Sequence, residues 1–298
     1  MSAPASFSVD QEVIRTMRHG LMLAAMNAKA ILDGDAIVEE HMTPQDLLTA
    51  AKKKVGAMLT KLLQENFFDI GIIGEEKGDG IQGNGELYAI TGLIDGPENF
   101  VSGRLHWSVS LSLWTKKDGP VFGIVYYPSN HGLTYDGGPE HGICMYREPA
   151  KIVPCQSKLV QVGSGRLGPD DDRVVSLSTM LRKQGSVPLG LGCTTADIEL
   201  VISAQAIAYM TVSASACELA GMYAIFSTKP TVESETLTFE IFALDTDNKV
   251  IDGPVDFITA SQEQRYAAVV ARPEDIKTYL AIMRAVLGLP SGSPAALV

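Results

Sequence analysis

The order of hydrophobic patterns along the chain is the feature that most limits its fold. Apolar residues recur at helical spacing between about Asp10 and Leu32, which predicts a first amphipathic helix. Thr43 is a good N-cap and Pro44 suits the first helical turn, so a second helix is expected to begin there. Because extended runs and further helices follow both of them, the pattern predicts an α/β protein.

The extended runs after the second helix predict a sheet. They cover residues 70–73, 87–94, 107–113 and 121–127. A turn at Lys117, Asp118 and Gly119 separates the last two runs, which predicts an antiparallel hairpin with one buried face. Beyond it, strands are predicted at 159–163, 207–212 and 266–270, and helices at 169–183, 195–204, 218–226 and from 273 onward.

The change from long antiparallel strands to strand and helix alternation indicates a boundary near Cys155. We therefore predict an N-terminal α+β subdomain over 1–154, a C-terminal α/β subdomain over 155–288 and a flexible tail over 289–298. The length of 298 residues suits one large fold or two coupled halves.

The acidic composition disfavours two classes of partner. With 35 acids against 24 bases, the formal charge is -11, which argues against capture of nucleic acid or an anionic membrane. No apolar run approaches the roughly 20 residues that cross a bilayer, and the four cysteines form no Cys-x-x-Cys pair. With no secretory leader recognised either, we expect a cytoplasmic protein without a membrane segment.

A glycine-rich segment matches a nucleotide-binding pattern only weakly. Gly163–Gly168 fits G-x-G-x-x-G between a predicted strand and a predicted helix. The helix behind it opens with Asp170, Asp171 and Asp172, which set negative charge where a pyrophosphate needs positive potential. A glycine-rich turn capped by acids is the preferred interpretation, and a nicotinamide-dependent oxidoreductase is the distant alternative.

Acidic residues terminate two of the predicted strands. Glu75 and Glu76 follow the first, whereas Asp95 and Glu98 follow the second. If these strands are neighbours, the carboxylates share one edge of the sheet, and hard divalent cations prefer such oxygen ligands. Two polar turns with solvated acids explain the pattern equally well.

These motifs resemble the inositol monophosphatase superfamily of magnesium-dependent, lithium-sensitive phosphomonoesterases. Residues 74–76 resemble its Gly-Glu-Glu motif, and residues 92–100 resemble Asp-Pro-Ile-Asp-Gly-Thr-x-Asn-Phe. Residues 217–221 are similar to Trp-Asp-x-Ala-Gly, and 108–111 and 122–126 also resemble family segments. The order and spacing of the motifs cover most of the chain.

The resemblance implies a layered α/β/α/β/α sandwich, usually homodimeric, that hydrolyses a small sugar or polyol phosphate with metal assistance and no covalent intermediate. The metal-ligand positions implied are Glu75, the carbonyl of Ile94, Asp95 and Glu218. The implied phosphate or substrate contacts are Gly96, Cys193 and Thr194. The candidate catalytic acids are Glu75 and Glu98.

Three positions lose or invert the chemical group of the family pattern, and a fourth lengthens it. Gly92 stands where the family has a metal-bridging Asp, and Pro97 replaces a Thr that helps activate water. Lys52 stands at an acid that helps hold the outer metal. Its ammonium could take the place of a lost cation, or it could point to solvent. Glu218 keeps the charge of the family's Asp on a longer arm.

The departures leave two functional hypotheses open. Glu98 would share a helix face with Asp95 if a helix begins after Gly96, so a site with fewer Mg²⁺ or Mn²⁺ ions than usual is expected. The first hypothesis is a divergent metal-dependent phosphatase, which the family base rate favours. The second is a non-hydrolytic member that serves as a small-molecule binding or interaction module or performs different chemistry.

Overall fold

The computed structural model describes residues 9–34, 43–75, 80–150, 152, 155–165, 167–168, 170–227 and 237–290. The chain forms two compact units. Unit 1 comprises Met1–Ala150 with Ala220–Lys229, and unit 2 comprises Lys151–Leu219 with Pro230–Val298. The division predicted from the sequence has one boundary, whereas the chain returns to unit 1 at Ala220. Of the predicted tail, only Leu289 and Pro290 belong to the described residues.

Unit 1 combines two long helices and a short one with a seven-stranded sheet. The helices are α1 (Gln11–Leu32), α2 (Pro44–Asn66) and α3 (Pro97–Val101). In order across the sheet, the strands are β1 (Gly71–Ile73), β2 (Leu87–Asp95), β3 (Ser108–Thr115), β4 (Gly119–Tyr127), β5 (Leu133–Gly138), β6 (Gly142–Met145) and β7 (Glu148–Pro149). β1 and β2 run parallel, and the other neighbours are antiparallel.

Both predicted long helices are confirmed, and local capping explains where each begins. The Asp10 side chain accepts the Val13 N–H at 2.8 Å and begins α1. Thr43 and Asp46 form a capping box at the start of α2, with the Asp46 carboxylate accepting the Thr43 N–H at 2.9 Å. The apolar faces of the two helices pack on each other and on the sheet to form the core of unit 1.

The prediction that the β3–β4 hairpin buries only one face is wrong. Every residue of β3 is buried, including Ser110 at 2% exposure. Gly221 approaches this serine so closely that a Cβ there would lie 3.1 Å from the Ser110 Cβ. Trp114 also stacks on Tyr223, with ring centroids 5.8 Å apart. The small serine side chains of β3 therefore do not face water. They allow residues 220–226 of a further helix, α6 (Ala216–Phe226), to pack closely on the strand.

An ion pair joins α1 to β5. The Arg18 guanidinium donates to both Asp136 oxygens at 2.8 and 2.5 Å, and the carboxylate is almost fully buried. This bidentate contact raises the pKa of Arg18. The sequence did not predict β5, because Asp136, Gly137 and Gly138 are residues that strands usually disfavour. Only glycine fits at 138, where a Cβ would lie 2.2 Å from the Val121 carbonyl oxygen.

Unit 2 contains a five-stranded mixed sheet with helices. In order, its strands are β11 (Thr238–Leu244), β12 (Arg265–Ala271), β10 (Ala208–Ala214), β8 (Leu159–Gly163) and β9 (Val187–Leu189). β8 is parallel to both neighbours, whereas β12 is antiparallel to both of its own. The helices are α4 (Asp172–Lys183), α5 (Thr194–Ile202) and α7 (Ile276–Val286), with the start of α6. The sequence predicted β8, β10 and β12, but not β9 or β11.

Two helices of unit 2 begin later than predicted. The Asp171 side chain accepts the Arg173 N–H at 3.0 Å, so α4 begins at Asp172. Pro169 and Arg166 lie outside the described residues. The acidic cap agrees with the interpretation of the glycine-rich segment as a capped turn. Likewise, α7 begins at Ile276, after the turn that follows Pro273.

No helix in the described part of the chain is both long enough and apolar enough to cross a bilayer.

The close approach of α6 to the sheet generates a stability prediction. A Cβ at Gly123 would lie 2.4 Å from the Gly221 carbonyl oxygen, so we expect Gly123→Ala to destabilise the fold by about 1–3 kcal/mol. Gly56→Ala is the matched control, because its Cβ would lie 3.6 Å from Leu93 and alanine favours the interior of α2 by about 1 kcal/mol. Urea unfolding measures both. A Gly123→Ala protein as stable as the wild type would contradict this packing.

Candidate functional site

The first two strands bring the predicted acidic groups to one edge of the sheet in unit 1. β1 and β2 are parallel neighbours, with Ile73 paired to Ile90. Glu75 and Asp95 therefore both lie toward the carboxyl ends of adjacent strands. The prediction from the sequence required these two strands to be neighbours, and they are. Glu76 lies outside the described residues.

The end of β2 holds Asp95 and Gly96 in a defined backbone geometry. Asp95 is the last residue of the strand and is 8% exposed, opposite Ser108 after a register shift in the ladder. Gly96 follows with φ 78° and ψ 53°, a left-handed conformation that suits glycine. Its carbonyl accepts the Phe100 N–H at 2.9 Å, and Pro97 begins α3. The chain thus turns sharply beside a buried carboxylate.

The prediction that Asp95 and Glu98 share a helix face is wrong. Asp95 belongs to β2, whereas α3 begins only at Pro97. The left-handed Gly96 between them breaks the helical phase on which the prediction relied. Glu98 is exposed, in contrast to the buried Asp95.

Lys52 faces the end of β1 rather than solvent. Its Nζ donates to Oε1 of Glu75 at 3.1 Å. The two side chains retain only 15% and 19% of their exposure, so the pair is largely shielded from water. The carboxylate that the family resemblance assigns to a metal is therefore in contact with an ammonium group.

A pocket of about 320 Å³ lies beside this ion pair in unit 1. Its helical wall consists of Thr49, Lys52, Lys53, Gly56, Ala57 and Thr60 of α2. The strand side consists of Ile72, Gly74, Thr91 and Leu93. The volume falls at the lower end of the roughly 300–1,000 Å³ typical of small-molecule sites.

In unit 2, the candidate substrate residues begin α5. Cys193 is the N-cap of this helix, and its Sγ lies 3.3 Å from Oγ1 of Thr195. The Tyr209 hydroxyl donates to Oγ1 of Thr194 at 3.3 Å. Burial raises the pKa of the Tyr209 phenol well above its ordinary value, and the Asp197 carboxylate adds to this rise. Tyr209 therefore acts as a neutral hydrogen-bond donor.

Sequence reasoning missed Asp197 and Tyr209. The Asp197 carboxylate accepts the Leu191 N–H at 2.9 Å and is 1% exposed, so it fixes the loop that leads into Cys193. Asp197 is one of two acids, with Glu199, in the largely apolar segment 196–202, and this was the available signal, because a buried charge requires a specific partner. Tyr209 sits in an apolar strand pattern and offered no comparable signal.

Glu218 caps the helix in which it lies. Its Oε2 accepts the Ser215 N–H at 2.6 Å, while the Ser215 hydroxyl accepts the Glu218 N–H at 3.3 Å. This reciprocal arrangement is a capping box at the start of α6. One oxygen of this predicted metal ligand is thus already bound by the backbone.

The side-chain donors do not fit the multi-metal site implied by the family resemblance. Gly92 supplies no carboxylate, Glu75 contacts the Lys52 ammonium, and Glu218 caps α6. Among the residues that the structure describes, no three His, Cys, Asp or Glu side chains are grouped as ligands for one ion. Asp95, which is buried at the end of β2 next to the Ile94 carbonyl, is the remaining carboxylate of the implied donor set in unit 1.

Comparison of the sequence with known proteins gives one family and one curated relative. Residues 10–220 match the model described as the inositol monophosphatase family. The uncharacterized protein y4fL of Sinorhizobium fredii (strain NBRC 101917 / NGR234) is 27% identical over 177 residues. That match covers 58% of this chain and 61% of y4fL, so it spans less than two thirds of the relative.

Several solved structures share the fold. Inositol monophosphatase-II from Staphylococcus aureus MSSA476 is 15% identical, with a TM-score of 0.68 over 93% of this chain and 95% of that one. The inositol monophosphatase of Anabaena (Nostoc) sp. PCC 7120 is 20% identical, with a TM-score of 0.63 over 93% and 97%. SaIMPase-II with bound inositol monophosphate is 15% identical, with a TM-score of 0.67 over 93% and 97%. The predicted fold class is confirmed.

The capping role of Glu218 can be separated from a role of its charge. Glu218→Ala removes the acceptor for the Ser215 N–H, and we expect a loss of about 1 kcal/mol in unfolding free energy. Glu218→Gln keeps an acceptor and should retain most of the stability. Ser215→Ala, which removes the other half of the box, should match the alanine variant. If Gln proves as destabilising as Ala, the charge rather than the cap accounts for the effect.

The Lys52–Glu75 contact is testable by a double-mutant cycle. Lys52→Met and Glu75→Gln each remove one charge of a largely shielded pair, so we expect a coupling free energy of about 0.5–3 kcal/mol. Chemical denaturation of the wild type, both single variants and the double variant gives this value. Additive effects, with no coupling, would contradict the ion pair.

Proposed function

The chain belongs to the inositol monophosphatase family, and from that premise we propose that it binds a small phosphorylated sugar or polyol without metal-assisted hydrolysis. The observation that carries this proposal is the 3.1 Å contact between the Lys52 ammonium and Glu75. In it, a cation that belongs to the chain stands beside the carboxylate that the family resemblance assigns to a metal ion.

The charge of Lys52 opposes a divalent cation at Glu75. Two unit charges of like sign about 4 Å apart repel by about 4 kcal/mol at an effective dielectric constant near 20, and a divalent ion doubles this value to about 8 kcal/mol. Metal binding at Glu75 would therefore require the Lys52 side chain to move away. The same ammonium attracts a phosphate group, whose charge is opposite.

Several groups that the family uses for hydrolysis are also missing from this chain. Gly92 has no carboxylate, and Pro97 has neither a hydroxyl nor an N–H to offer a water molecule or a phosphate oxygen. Loss of a single well-placed catalytic donor lowers turnover by about 10²–10³. The missing carboxylate and hydroxyl serve hydrolysis, and the missing N–H removes one phosphate contact, so binding can persist through other contacts where turnover is lost.

The ligand class rests on family membership and on the backbone conformation around the candidate contacts. SaIMPase-II, which shares the fold, binds inositol monophosphate. In this chain, Gly96 turns sharply beside Asp95, and the buried Cys193 and Thr194 begin α5. We propose that Gly96 of unit 1 contacts the phosphorylated ligand, whereas contacts of Cys193 and Thr194 with a ligand stay a prediction of the family resemblance. The positive end of the α5 dipole favours an anionic group near Thr194.

Metal-dependent hydrolysis with a reduced metal site is the second candidate. Asp95, which is buried at the end of β2 next to the Ile94 carbonyl, favours it. Mg²⁺ is commonly held by one or two carboxylates together with substrate phosphate and water. In this alternative, the chain would be a slow phosphomonoesterase with Mg²⁺ or Mn²⁺.

Calorimetric titration with myo-inositol 1-phosphate, in Mg²⁺ and in chelator, separates the two candidates. We expect equal affinity in both buffers and no phosphate release above the background rate. Lys52→Gln should weaken binding about tenfold, because it removes a charge-assisted contact to phosphate. Release that requires Mg²⁺ and disappears in Asp95→Asn would instead establish the second candidate.

A variant that restores the family residues tests whether the three departures account for the loss of hydrolysis. Lys52→Asp, Gly92→Asp and Pro97→Thr together should raise Mg²⁺-dependent phosphate release by at least about a hundredfold. If the triple variant binds the probe but releases no phosphate in Mg²⁺, the three departures are not the reason for lost turnover.

A further inference from the structure

One face of α2 forms the wall of the pocket beside the Lys52–Glu75 pair. Thr49, Lys53, Gly56 and Thr60 follow one another at i, i+4, i+7 and i+11, which places them on one side of the helix. Together with Lys52, they face a strand side built from β1 and β2. The described lining residues include two lysines and no acid.

The two lysines differ in how their charges are compensated. Lys52 is paired with Glu75 at 3.1 Å and is largely shielded from water. Lys53 is exposed and forms no ion pair with a carboxylate in the described part of the chain. Lys53 therefore gives the pocket a positive charge in a protein whose formal net charge is -11. A positive pocket on an acidic protein concentrates anions locally.

We propose that this pocket binds a second anionic group of the ligand. The ligand would be a sugar or polyol that carries, besides its phosphate, another phosphate or a carboxylate. The inference rests on the proposed function, because the first phosphate is taken to bind at the strand ends near Lys52. Lys53 would then determine which phosphorylated compounds bind, whereas Lys52 would contribute to the binding of all of them.

The remaining lining residues suit the carbon and hydroxyl groups of such a ligand. Ile72 and Leu93, each 4% exposed, form an apolar surface on the strand side. Thr49 and Thr60 line the helix side with hydroxyls, and the Thr49 hydroxyl, which donates to the Gln45 carbonyl at 2.8 Å, can still accept a hydrogen bond. At Gly56, a Cβ would lie 3.6 Å from Leu93, so the absence of a side chain there leaves space above the apolar surface.

The test compares three probes by calorimetry on the full chain: glucose 6-phosphate, fructose 1,6-bisphosphate and 6-phosphogluconate. We expect the two doubly anionic probes to bind about tenfold more tightly than glucose 6-phosphate. Lys53→Gln should remove this preference and leave glucose 6-phosphate affinity within about twofold. Lys54→Gln is the matched control, since Lys54 is exposed on the same helix but does not line the pocket.

The outcomes distinguish this inference from the proposed function. Stronger binding of the bisphosphate identifies the second group as phosphate, and stronger binding of 6-phosphogluconate identifies it as carboxylate. If all three probes bind equally, or Lys53→Gln weakens all three alike, the second-anion site is overturned while phosphate binding stands. If no probe binds the folded wild type, the proposed function fails and this inference fails with it. Loss of preference in Lys54→Gln as well would also overturn the assignment to Lys53.

Discussion

Burial of both faces of β2 and β3 is the constraint on which the candidate site of unit 1 depends. The α1–α2 pair packs on one face of the sheet, and residues 220–226 of α6 pack on β3 and β4 from the other. Small residues such as Ser110 and Gly123 are required where α6 approaches, because close-packed interiors tolerate little added volume. Because β2 is buried along nearly all of its length, Asp95 at its end is buried as well. The left-handed Gly96 then turns the chain away.

The same packing fixes the direction of Lys52. The capping box begins α2, and its buried residues dock on the sheet, so that Lys52 reaches Glu75 just after β1. A charge carried by a packed helix differs from a bound metal ion in one physical respect: it cannot be exchanged with solvent. It can hold an anion, but it cannot polarise a water molecule as a divalent ion does. Family membership therefore settles the fold of this chain more firmly than its chemistry.

Unit 2 positions its candidate contacts through internal hydrogen bonds and helix caps. The Tyr209 hydroxyl donates to Thr194, the Asp197 carboxylate accepts from the loop before Cys193, and Glu218 caps α6. Each of these polar groups is satisfied within the unit, which limits the cost of burying it. These hydrogen bonds fix the backbone where α5 and α6 begin.

The sequence alone determined the features that depend on neighbours a few residues away. The periodicity of α1 and α2, the Thr43 cap of α2, the hairpin turn before β4 and the positions of the acidic motifs after predicted strands all followed from the sequence. Tertiary structure decided the rest, because the deciding contacts join distant residues. Lys52 meets Glu75 across 23 positions, and Arg18 meets Asp136 across 118. The serines of β3 are buried because residues 220–226 of α6 pack on them, and the local sequence pattern did not predict this contact. Local patterns carry no information about which distant element covers a face, and that packing decides whether a charge meets water, a metal ion or another charge.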